Sequence, residues 1–138
     1  MTQELKIYIY VGSRGNPGAA GAAAVIYNQN GEIVAEVARY LGETTNNIAE
    51  YNALLMALNK AAQLGGKRLH IFSDSELLVR QYCGKYRVKH PNLIPLYLEA
   101  MKLARQFERV TLTHIPREKN RLADALVNKT LDEQRRLA

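Results

Sequence analysis

The sequence predicts an α/β fold, a five-stranded mixed sheet with helices on both faces. Three observations carry that expectation. Period-two alternation marks the N-terminal third, helical periodicity takes over near residue 47, and short apolar strands then return between helices. Strands 1–3 read as an antiparallel meander, and strands 4 and 5 as parallel to strand 1, because helical crossovers join parallel strands. A chain of 138 residues has the size of one domain with one core. The expected unit is therefore 1–138, with fraying confined to Arg135–Ala138.

The first strand is Leu5–Val11, where Leu5, Ile7, Ile9 and Val11 share one face and Lys6, Tyr8 and Tyr10 the other. Gly12 to Gly21 holds four glycines and a proline and reads as a loop. A second strand, Ala22–Tyr27, meets the Asn28-Gln29-Asn30-Gly31 turn, and Glu32–Leu41 returns as the third. From Asn47 to Leu64, Ile48, Tyr51, Leu55, Leu58 and Ala62 recur at three- and four-residue steps, giving an amphipathic helix that Gly65-Gly66 ends. Arg68–Phe72 is the fourth strand, Ser73–Cys83 a helix, and Lys85–Pro91 a basic link. A helix over Leu93–Phe107, a strand over Val110–Ile115 and a helix over Asn120–Glu133 complete the chain. The order is β-β-β-α-β-α-α-β-α, without repeat or linker.

Composition narrows the setting. The single cysteine, Cys83, excludes an intramolecular disulfide and reads as a buried or half-buried helix residue. The N-terminus lacks the apolar run of a signal peptide, and no stretch is long enough to span a membrane. A cytoplasmic protein with no membrane partner is expected, a monomer by default. The net charge of +6 suits a polyanionic partner.

Three acids stand where chemistry would want them. Glu50 lies in the predicted first turn of the long helix, Asp74 follows the fourth strand, and Asp124 opens the last helix, ten residues after His114. Each also has a structural explanation. The helix dipole favours acids in first turns, Ser73-x-x-Glu76 is a possible capping box, and His114 could be a half-buried strand residue. Ser13-Arg14-Gly15-Asn16-Pro17-Gly18 is either a tight connection or a loop whose backbone approaches a sugar-phosphate chain. It lacks the spacing of a nucleotide-cofactor loop, so no nucleotide cofactor is expected.

Arg14-Gly-Asn-Pro-Gly18, Thr45-Asn-Asn-Ile-Ala-Glu50, Ser73-Asp-Ser75, and His114 with Asn120 and Ala123-Asp124 occur in one order and spacing. Together they resemble the type 1 ribonuclease H family over nearly the whole chain. The short link Lys85–Pro91 matches its compact members, which lack a basic protruding handle. The resemblance implies a ribonuclease H-like fold, an RNA–DNA hybrid as partner, and cleavage of the RNA strand by two divalent ions, Mg²⁺ or Mn²⁺, about 4 Å apart. Carboxylates suit such hard cations. It also implies Glu50, Asp74 and Asp124 as metal ligands, and His114 as the histidine that assists proton transfer or product release. Arg14, Gly15, Asn16, Asn46, Asn47, Glu76 and Asn120 would contact the nucleic acid, where 2′-hydroxyls distinguish RNA from DNA.

One position departs. The family has an Asp-Gly pair at the end of the first strand, and alignment on Ser13–Gly18 puts Tyr10 and Val11 there. No acid lies between Glu4 and Glu32 to replace it. A neutral phenol is a poor ligand for a hard cation, so at least one ion should bind weakly and cleavage should be weak or lost. Two readings follow: a hybrid-binding protein without effective turnover, or an active hybrid endonuclease using Glu50, Asp74 and Asp124. A junction resolvase or exonuclease on the same fold fits the Gly-Asn-Pro-Gly loop and the Asn46-Asn47 pair less well, and no exposed apolar stripe suggests a pure protein-interaction domain. Arg14, Lys85, Arg87, Lys89, Arg117, Lys119 and Arg121 are candidate phosphate contacts.

Overall fold

The computed structural model describes residues 4–119 and 121–137. The strands are β1 (Glu4–Gly15), β2 (Gly18–Tyr27), β3 (Ile33–Thr44), β4 (Arg68–Ser73) and β5 (Arg109–His114). The helices are α1 (Asn46–Gln63), α2 (Glu76–Tyr82), α3 (Ile94–Ala104) and α4 (Arg121–Leu137), with a single 3₁₀ turn at Arg117–Lys119. The sheet order is β3-β2-β1-β4-β5. β1, β2 and β3 pair antiparallel, and β4 joins β1 and β5 in parallel, as the sequence predicts.

Alternation along β1 distributes the core to two faces. Leu5, Ile7, Ile9 and Val11 meet Ala49, Leu54, Ala57 and Ala61 of α1, with Leu78 of α2 and Ala100 of α3 in the same cluster. Tyr10 points the other way, into a smaller cluster with Ala23 and Val25 of β2 and Ala123, Val127 and Leu131 of α4. α1 is buried more broadly than its predicted stripe, because the sheet covers one side and α3 the next. Ala53, Met56 and Ala57 are buried, whereas Ala62 is exposed.

The expected loop over Gly12–Gly21 is instead the end of a long hairpin. β1 and β2 stay paired up to Gly15 and Gly18. Glycine here serves close approach rather than disorder: a Cβ on Gly12 would lie 2.6 Å from Val127 Cγ1 of α4. At the tip Gly15 has φ +118°, and a Cβ on Gly18 would lie 2.5 Å from the Arg14 carbonyl. The Asn28–Gly31 turn forms as expected, with Asn28 Oδ1 accepting from the Asn30 and Glu32 N–H groups.

Further boundaries differ for local reasons. Thr45 caps α1, accepting from the Ile48 N–H, so Glu50 lies in the second turn and outside the reach of a dipole explanation. Ser75, not Ser73, caps α2 by accepting from the Leu78 N–H. Ser73 Oγ accepts from the Ser75 N–H, and the expected Ser73–Glu76 capping box is absent. Cys83 is exposed at the end of α2, not buried. α4 continues through Arg135 and Arg136 to Leu137, past the expected point of fraying, with two arginines in its last turn where the dipole favours cations. No helix among the described residues is long and apolar enough to cross a membrane.

Candidate nucleic-acid and metal site

The β1–β4 pairing stops at Ile9–Ser73, while β1 continues along β2 alone. That divergence opens a cavity of about 520 Å³ at the carboxyl ends of the parallel strands, the usual place for a site in an open α/β sheet. Glu50 and Asp74 line it from α1 and the end of β4, Gly15, Asn16 and Asn46 from the hairpin side, and Arg117 and Val11 complete it. The fold thus brings two of the three predicted acids together with the predicted Gly-Asn tip.

Hydrogen bonds fix the cavity's shape. Asn16 Oδ1 accepts from the Asn46 N–H at 3.0 Å, tying the hairpin tip to the start of α1. Arg14 donates to Asp132 at 2.7 Å and anchors the same hairpin to α4. Both Arg14 and Asp132 are exposed, so the pair adds little stability, and it holds a side chain predicted to contact nucleic acid. Asn47 is exposed in the first turn of α1.

Electrostatics mark the acids. Burial pushes the Glu50 carboxyl up to about 8, and the Asp74 charge adds to the effect. Glu50 is half-exposed as a residue, yet its Oε1 is buried without a hydrogen-bond partner among the described residues. Burial also raises Asp74; a hydrogen bond from its own backbone and the His114 imidazole oppose the rise, and Asp124 reinforces it. Asp124 and His114 are therefore felt at Asp74. Asp124 is half-buried and accepts from Asn128 Nδ2 at 3.3 Å. His114 is exposed at the end of β5, not half-buried. Glu76 pairs with Arg80 at 3.3 Å and lines a different, smaller recess that His114 shares. Asn120 lies outside the described residues.

Tyr10 gives the cavity no ligand. Its ring is 1% exposed, turned toward α4, and its hydroxyl has no hydrogen-bond partner among the described residues. Val11, on the opposite face of β1, presents an apolar side chain to the acids. Glu50 and Asp74 have the donor chemistry for one hard divalent ion, and the unpartnered Glu50 Oε1 is the kind of atom such an ion satisfies. Among the described residues, no three His, Cys, Asp or Glu side chains converge to hold a metal. The residues fit one ion at the Glu50–Asp74 pair and do not fit a two-ion centre.

Sequence reasoning missed the contact between Arg117 and Tyr10. The Arg117 Cζ stands 4.9 Å from the Tyr10 ring centroid. The sequence marks Arg117 as a candidate phosphate contact but not its seat on Tyr10, because the two residues are far apart in sequence.

Comparison with known proteins agrees with this architecture. A family model described as "Reverse transcriptase-like" matches residues 10–130. The Bifunctional protein Rv2228c of Mycobacterium tuberculosis is 43% identical over 122 residues, covering 88% of this chain and 34% of that protein. Ribonuclease HI of Halobacterium salinarum is 40% identical over 121 residues, 88% of this chain and 61% of that protein. Among solved structures, the N-terminal RNase H domain of Rv2228c, as a maltose-binding-protein fusion, superposes with a TM-score of 0.92 at 39% identity, covering 99% of each chain. LC11-RNase H1 in complex with an RNA/DNA hybrid gives 0.89 at 40% identity, covering 94% of this chain and 98% of that one. The chain belongs to the ribonuclease H family, in its compact type. It spans about a third of the length of the first curated relatives it matches.

Proposed function

We propose that this ribonuclease H-like domain is cytoplasmic and monomeric, binds RNA–DNA hybrids and cleaves the RNA strand weakly or not at all. One observation carries the reading: the position where the family resemblance expects the first carboxylate holds the buried ring of Tyr10, and among the described residues the acids lining the cavity are Glu50 and Asp74. The similarity to an RNase H1 in complex with a hybrid supports the choice of partner.

Gly15, Asn16, Asn46 and Asn47 lie along the hairpin tip and the start of α1, where backbone and amide groups would follow the minor groove and its 2′-hydroxyls. Lys85, Arg87, Lys89, Lys119 and Arg121 are exposed and would meet phosphates. Asn120 is assigned to the hybrid by the family motif, and Glu76 by its position, where some relatives carry a neutral residue that contacts RNA. Glu50 and Asp74, with Asp124 behind them, would hold one Mg²⁺ or Mn²⁺. Such an ion, when bound, polarises a phosphodiester oxygen. His114 is exposed beside Asp74 and would move a proton at the strand's oxygen or help the product leave.

A second reading, an active endonuclease using Glu50, Asp74 and Asp124, is favoured by one observation: Asp74 is electrostatically coupled to both Asp124 and His114. Binding and turnover separate in a titration of labelled hybrid, duplex DNA and duplex RNA of one sequence. Hybrid binding that exceeds both duplexes and weakens with salt is the expected result. Equal affinity for all three would overturn the assignment.

A further inference from the structure

We propose that Arg117, seated on the Tyr10 ring, is a phosphate-binding cation that lets the acid cavity hold a nucleic-acid strand without a divalent ion. The proposal rests on the hybrid-binding reading and says how a site short of one carboxylate still engages a phosphodiester.

The platform is rigid. Tyr10 packs between Ala23 and Val25 of β2 and the Ala123–Val127 side of α4, and almost none of it reaches solvent. A ring so confined has one position to offer a cation. The Arg117 Cζ lies 4.9 Å from its centroid, within the roughly 6 Å over which an aromatic face attracts a guanidinium.

The cation is available. Arg117 is exposed, and among the described residues it has no ion pair and no hydrogen-bond partner. Arg14, Arg68 and Arg80 are each held by a carboxylate. An aromatic face takes no conventional hydrogen bond, so all five Arg117 N–H donors remain for a planar, bidentate contact with phosphate. The location is also specific, because Arg117 lines the cavity together with Glu50, Asp74, Asn16 and Asn46.

The change at position 10 therefore has two effects at one place. The family resemblance expects an Asp there, with a negative charge and a metal ligand; Tyr10 supplies neither and seats the Arg117 cation at the rim of the acid cavity. Tyr10 is a positioning residue and Arg117 the binding residue. Anion binding here draws on the protein's own cation rather than on an ion from solution.

The test is a fluorescence-anisotropy titration of the intact chain with labelled RNA–DNA hybrid and duplex DNA, in chelator and in Mg²⁺, across a salt series. The native chain should bind hybrid in chelator within about two-fold of its affinity in Mg²⁺. Arg117→Gln, a surface change, should weaken binding in chelator about ten-fold and lower the salt slope by about one. Tyr10→Leu, with folding checked by circular dichroism, should weaken it about three-fold, and Tyr10→Phe should recover what Leu loses by restoring the ring. Native binding that collapses in chelator overturns the proposal, as does an Arg117→Gln protein with unchanged affinity and slope. If hybrid and duplex DNA bind equally but Arg117→Gln still loses a unit of slope, the phosphate seat stands and the hybrid reading fails. If the native chain binds neither, both fail.

Discussion

Glu50 shows what the cavity does to a single side chain. Its carboxyl is raised from the ordinary 4.5 to about 8, chiefly by burial. The folded chain therefore keeps this proton to higher pH than the unfolded chain does. Stability from this group is fully present below pH 4.5 and is lost as pH rises toward about 8, then levels off. Glu50→Gln should remove that slope and, in chelator above pH 8, stabilise the protein by an amount on the order of a few kcal/mol. Urea unfolding of both proteins at pH 5 and pH 8.5 checks it; parallel pH dependences would show that Glu50 ionises normally in the fold. At this scale the sequence was legible for Glu50, Asp74 and Gly15-Asn16, because motif spacing marks residues that the hairpin and α1 bring together. It was silent on the Arg117–Tyr10 contact, which needs the 3₁₀ turn after β5 to fold back over β1. It misjudged Cys83 and His114, whose exposure is set by elements ending early rather than by local pattern.

The element that decides the site's shape is the β1–β2 hairpin under α4. Gly12 lets Val127 approach to a distance no side chain would permit, and Arg14 ties the strand end to Asp132. Gly12→Ala should destabilise the protein by about 1–3 kcal/mol through overpacking. Combining it with Val127→Ala should cost less than the sum of the two single changes, since the second change makes the room the first requires. Gly42→Ala offers a contrast: Gly42 has φ +76° and nothing within 4 Å, so its cost is backbone strain alone and should be indifferent to Val127→Ala. Chemical denaturation of the five proteins reads all three terms. The same hairpin explains why Gly12–Gly21 looked like a loop. Glycine has two opposite uses, freedom in turns and closeness in packed strands, and only the position of α4 tells them apart. α1 was easier, since an eighteen-residue helix ended by Gly65 repeats its period often enough to be recognised.

For the molecule as a whole, the parallel pairing of β4 with β1 and with β5 gathers their carboxyl ends at one edge, and the basic link and the Arg117–Arg121 segment supply positive charge. Binding should therefore fall steeply with salt, and Mg²⁺ should raise the melting temperature of Tyr10→Asp/Val11→Gly more than that of the native chain, because only the variant gains a carboxylate at the ion site. A differential-scanning melt in chelator and in Mg²⁺ compares them; equal shifts would mean that position 10 does not face the ion. Strand order and helix alternation were legible from hydrophobic periodicity because each segment repeats its signal several times. Convergence of Glu50 on α1 with Asp74 at the end of β4 is set by crossing angles and register, which no local pattern encodes.

On the proposed reading, this ribonuclease H fold binds a hybrid at a site one carboxylate short of efficient cleavage. Its most direct test is cleavage of a labelled RNA–DNA hybrid in Mg²⁺ and in Mn²⁺ by the native chain, by Tyr10→Asp/Val11→Gly, and by Asp74→Asn. Little or no cutting by the native chain is expected, with RNA-strand cleavage gained by the double variant. Efficient cutting by the native chain that Asp74→Asn abolishes would contradict it, and would make Glu50, Asp74 and Asp124 a sufficient set.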